Sequence, residues 1–209
     1  MLKSLISSLA KRQSTDCVFN PYRQGFIRNN VRVYFDYLLR TRPEVMLVGE
    51  APGWRGACLT GIPFTSGQVL NTSPHQMLRA INAEIELREE MGEFTARAVW
   101  EYLGVDKPAP LMWNAFPFHP HKVHERRSNR RPTQDEIREG FGFIEILYEL
   151  LKPSALIALG RVAEAALKEI YPNKTVHYVR HPARGGARKF SAEMNRALSR
   201  TEQESLRHC

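Results

Sequence analysis

An α/β fold is expected for this chain: a three-layer αβα sandwich around a central four-stranded parallel sheet. Three observations predict it. Four short apolar runs, Val45 to Val48, Leu111 to Ala115, Ala155 to Leu159 and Val176 to Val179, alternate with segments of helical periodicity. Turn signals rich in Gly, Pro or Asn bound most of these runs, which is how short buried strands are punctuated. Three of the four end in an unusual polar group, namely Glu50, Asn114 and His181. Parallel strands bring their carboxyl ends to one edge of the sheet, where α/β proteins bind ligands.

The elements follow in order. Residues 1 to 42 form a helical N-terminal segment, two helices separated by the turn Asn20-Pro21. In the second, Val33, Tyr34, Tyr37 and Leu38 fall at helical spacing. The α/β core covers about 43 to 200. Its first strand breaks at Gly49 into Glu50-Ala51-Pro52-Gly53, and Gly61-Ile62-Pro63-Phe64 follows. Ser73-Pro74-His75-Gln76 has the form of a capping box with Pro at the first helical position, so a helix is expected to run to about Met91. Another is expected around Ala96 to Leu103. After the second strand, residues 118 to 132 read as a loop with three histidines and four arginines. Thr133-Gln134-Asp135-Glu136 is a second capping box. Ile137, Phe141, Ile144, Leu147 and Leu151 mark one long amphipathic helix behind it. Arg161 to Ile170 and Lys189 to Arg200 read as the last two helices.

With 209 residues, 43% apolar and 25% charged, the composition is that of a globular protein, and residues 1 to 209 are expected to form one domain. There is no repeat, and no linker long enough to divide the chain. No apolar run approaches the roughly 20 residues of a membrane span, and MLKSLISSLAKR lacks the apolar core of a signal peptide. A net charge of +8 and a pI of about 9.6 favour nucleic acid as partner. The cysteines Cys17, Cys58 and Cys209 lie far apart without a CxxC pair, which argues against a disulfide framework and a four-cysteine metal site. A reducing, cytoplasmic location is expected, with the nucleoid if the source is bacterial. His119, His121 and His124 match no closed metal site by spacing, and no metal is expected.

Gly-Glu-Ala-Pro-Gly after the first strand, Asn at the end of the second and His-Pro after the fourth together resemble the uracil-DNA glycosylase superfamily. GEAPG followed by GIPF is most similar to the branch typified by thermostable bacterial and archaeal members. The resemblance spans about residues 45 to 190. It implies a monofunctional DNA glycosylase acting on DNA that contains uracil or another damaged base, as a monomer, without cofactor. Such an enzyme flips the base out of the helix and hydrolyses its N-glycosidic bond, leaving an abasic site for base excision repair.

By motif, the loop of Glu50, Ala51, Pro52 and Gly53 would hold the catalytic water and the DNA strand. Phe64 would stack on the uracil ring, and Asn114 would hydrogen-bond its polar edge. His181 would stabilise the charge that grows on the leaving base. Arg126, Arg127, Arg130 and Arg131 are expected to contact phosphate, as are Arg184, Arg188 and Lys189.

The chain departs from the family in three places. Ala51 stands where the best-known uracil-excising branch carries a water-activating aspartate, so no strong general base is evident and Glu50 or the backbone must position the water. The cysteines cannot supply the four ligands of the iron–sulfur cluster usual in the GEAPG branch. His181-Pro182-Ala183-Arg184-Gly185-Gly186 lacks the Ser and the Leu wedge often found after His-Pro, which leaves Arg184 as an open candidate for the gap. Three rivals remain. One is a glycosylase for hypoxanthine, xanthine or mismatched thymine, and another a non-catalytic DNA-binding member of the fold. The third, a nucleotide-binding protein, is poorly supported, because neither Gly-Lys-Ser/Thr nor GxGxxG follows the turn.

Overall fold

A computed structural model describes residues 1–183 and 186–206, with side chains for the same residues except Ala187 and 202–206. Six strands occur in these residues: β1 (Val18–Phe19), β2 (Val45–Gly49), β3 (Leu111–Asn114), β4 (His119–Pro120), β5 (Ala155–Leu159) and β6 (Val176–Val179). The four long ones form one parallel sheet in the order β3-β2-β5-β6, flanked by helices in the expected three-layer arrangement. Its residues are almost wholly buried, which is why these strands read as apolar runs. The register sets Gly49 beside Asn114, so the ends of β2 and β3 leave the sheet together. The free edge at β3 is covered by Tyr34, whose hydroxyl donates to Met112 O (3.0 Å) and accepts from Met112 N (2.8 Å). No helix among the described residues is long and apolar enough to cross a membrane.

Four local expectations need correction. The helix after Ser73 starts at Gln76 with His75, not Ser73, as N-cap: His75 Nδ1 accepts from Met77 N (3.1 Å). It ends at Ile81, and a short 3-10 turn, Asn82–Glu84, replaces its expected continuation to Met91. The cause lies in another helix (Gly25–Thr41). There the buried Asn30 donates to Thr60 O (3.1 Å) and Glu86 O (2.9 Å) and accepts from Glu86 N (3.0 Å), tying the chain out of helical geometry.

The single helix expected behind Thr133 is two, Gln134–Glu139 and Phe141–Leu151. Thr133 and Glu136 form the capping box as the sequence suggests. The break falls at Gly140, where any side chain would overlap the carbonyl of Ala115. Residues 118 to 132 are not a simple loop, because β4 pairs antiparallel with β1, an element absent from the sequence reading. His121 N and His124 N extend the tie by donating to Cys17 O (2.8 Å) and Asp16 O (2.9 Å). Finally, the last helix is longer than expected, Ala187–Leu206.

Candidate active site

At the carboxyl edge of the sheet, Glu50, Ala51, Pro52, Gly53, Phe64, Asn114 and His181 line one narrow pocket of about 50 Å³, together with Ala57, Glu93 and Thr95. The pocket is a direct product of the register. Beyond Gly49 and Asn114 the two chains stay joined: Ala115 N donates to Gly49 O (2.8 Å) and Phe116 N to Glu50 O (3.0 Å). Asn114 is buried, yet its amide makes no hydrogen bond with a described residue, so a donor and an acceptor face the pocket unused.

Phe64 is held in the left-handed region (φ 52°), costly for an aromatic residue and typical of strain kept at a working position. Trp100 secures it, its indole N–H donating to Phe64 O (2.9 Å) and Thr65 Oγ1 (3.2 Å). This brings the ring so close to the Gly49 backbone that a Cβ there would collide with it and reach 3.0 Å from Asn114 Oδ1. Gly49 is therefore what lets the aromatic face and the amide meet.

His181 follows β6, half-buried, with its Cβ over Gly160 at the end of β5. Its Nδ1 accepts from Ala183 N (3.3 Å), which leaves the ring hydrogen on Nε2. Burial lowers its pKa, so the ring is a neutral hydrogen-bond donor near pH 7. The Glu50 carboxyl is raised by burial, while the nearby charge of Arg131 pulls the other way.

The arginines divide by what they touch. Arg130 makes a two-pronged ion pair with Glu136 (2.6 and 2.7 Å) and also reaches Cys17 O (3.1 Å) and His121 O (3.1 Å). Arg126 lies over the Phe19 ring, and Arg127 forms an exposed pair with Glu89 at 3.3 Å. Of these four, Arg131 is the one whose charge acts on a pocket carboxylate. Arg188 and Lys189 are exposed in the first turn of the last helix, and Arg184 lies outside the described residues. His119 serves the scaffold. The ring of buried His119 contacts Pro52 O (2.8 Å) and Arg126 O (2.9 Å), fastening the loop after β2 to the basic segment.

Sequence reasoning missed Glu93. It stands at the N-cap of the helix Phe94–Leu103 but makes no cap hydrogen bond, and its carboxylate turns instead against Gly53 and Gly56. A Cβ at either glycine would overlap a carboxylate oxygen. The sequence offered one hint, a glutamate in a position that prefers Ser, Thr, Asp or Asn.

A narrow slot with an aromatic face, an amide with both polarities and a neutral imidazole donor can grip a planar heterocycle and stabilise negative charge on it. No curated protein matches the chain in sequence. Among solved structures, wild-type SMUG2 of Pedobacter heparinus shares the fold with a TM-score of 0.65 at 15% identity, over 100% of this chain and 98% of that one. The model of the uracil DNA glycosylase superfamily matches residues 35–202, which takes in β2 to β6 and every pocket residue, and the chain belongs to that superfamily.

Proposed function

We propose that the protein is a monofunctional DNA glycosylase that extrudes uracil from DNA and hydrolyses its N-glycosidic bond. The observation that carries this reading is the convergence of Phe64, Asn114 and His181 on one pocket, with the Asn114 amide unpaired by any described residue. A base in a duplex is out of reach until it is flipped, and unstacking is repaid by the pocket. Phe64 supplies a stacking face, and Asn114 offers an acceptor to N3–H and a donor to O4 of uracil. As the C1′–N bond lengthens, negative charge moves onto the base, and the His181 Nε2–H donates to O2, where that charge collects. Glu50 orients the water on the sugar side. Arg131, Arg127, Arg126, Arg188 and Lys189 contact phosphates, and the protein acts as a monomer on DNA.

The test is excision from an end-labelled oligonucleotide with one uracil, single-stranded or opposite guanine, with alkali to cleave any abasic site. Strand cleavage that falls at least about 100-fold in His181→Ala is expected, the scale of losing one hydrogen bond to a developing anion. Uracil left intact on both substrates by folded, DNA-binding protein would overturn the reading. Hypoxanthine, xanthine and mismatched thymine would then be tried in the same assay.

A further inference from the structure

Resting on that reaction, we infer that Glu93, outside every motif that carries the family resemblance, is the general base that activates the water. The chain lacks an acidic residue at Ala51, so the proton of the attacking water needs another acceptor. Two carboxylates line the pocket, Glu50 and Glu93, and they differ in surroundings. Burial raises the Glu50 carboxyl, but the charge of Arg131 offsets part of that rise. No cation offsets the burial of Glu93, which raises its pKa to about 7, where a base is most effective near neutral pH. Its side chain makes no hydrogen bond or ion pair with a described residue, although it is half-buried and sits where a helix cap would use it. Gly53 and Gly56 form its seat, since any Cβ on either would fill it. An unpaired, half-buried carboxylate gains little for the fold.

In the step, the water oxygen bonds to C1′ and its proton passes to the Glu93 carboxylate. The C1′–N bond breaks with its electron pair going to the uracil nitrogen. Release of the uracil anion to solvent, where it is protonated, and loss of the Glu93 proton complete the cycle. The titratable groups around Glu93 are Glu50 and His181 across the pocket and the buried Cys58 thiol, which responds to Glu93 and also to Arg126 and Glu89. Burial keeps the Cys58 thiol protonated, with a pKa of about 12, and His181 is neutral, so neither mimics a titration near pH 7.

Single-turnover excision by wild type and Glu93→Gln, measured from pH 5 to 9, tests the assignment. Wild type is expected to gain rate about tenfold per pH unit up to a midpoint near 7. Glu93→Gln is expected to be at least about 100-fold slower at pH 8 with that rise gone, while binding uracil-containing DNA as tightly or more so. Formate should partly restore Glu93→Ala and leave Asn114→Ala unaffected. A Glu93→Gln rate within threefold of wild type, or a slower rate with the rise unchanged, would overturn the role of Glu93 alone. Wild type that excises nothing would overturn the reaction and this role with it.

Discussion

The pocket and the basic segment from 118 to 132 are neighbours, fastened together by His119, but they treat polar groups in opposite ways. In the basic segment several strong donors are engaged: Arg130 by Glu136 and two carbonyls, Arg127 by Glu89, and the His119 ring by backbone oxygens. In the pocket, the side chains of Glu50, Glu93 and Asn114 have no hydrogen-bond partner among the described residues. Buried polar groups are normally paired, and those that are not must be repaid by something other than the fold. A residue's partners therefore separate scaffold from site better than its charge does.

That contrast can be broken by three substitutions. Asn114→Ala should have the largest effect on chemistry, lowering single-turnover uracil excision about 10²- to 10³-fold with the unfolding midpoint nearly unchanged. A loss of stability as large as the loss of rate would mean that the amide belongs to the scaffold. Arg130→Ala should do the reverse. It strips partners from Glu136, Cys17 and His121, and denaturant unfolding should show a cost of about 1.5–3 kcal/mol. Excision per folded molecule should remain within a few-fold of wild type. Arg127→Ala should move stability by no more than about 0.5 kcal/mol, because its pair is exposed. If it touches phosphate, the slope of log affinity against log salt should shrink by about 1.

Much of this was legible in the chain because it depends on nearest neighbours. The four strands, the Thr133–Glu136 cap and the arrival of Glu50, Asn114 and His181 at one edge follow from local apolar runs and parallel topology. What escaped was set by contacts distant in sequence. Gly140 reads as an ordinary helix glycine until the carbonyl of Ala115 is found against it, and the β1–β4 ladder joins dipeptides too short to carry a pattern. Glu93 was hidden for the same reason. Residues 85 to 93 have no period, and Asn30, from a helix that does not line the pocket, decides the path of the chain at Glu86. The arginines were legible as a charge cluster but not as individuals, since charge does not say which carboxylate lies opposite.

The bracket made by Asn30 also bears on how this pocket could change. One amide fastens Thr60, just ahead of the Gly61–Phe64 wall, to Glu86, which leads into the Glu93 wall. Moving the chain outward at Thr60 or at Glu86 breaks a bond to this one amide. A descendant enzyme that admits a larger base would have to gain its room by trimming side chains one at a time, so this architecture channels the evolution of substrate range toward point substitutions inside the pocket rather than insertions in its loops.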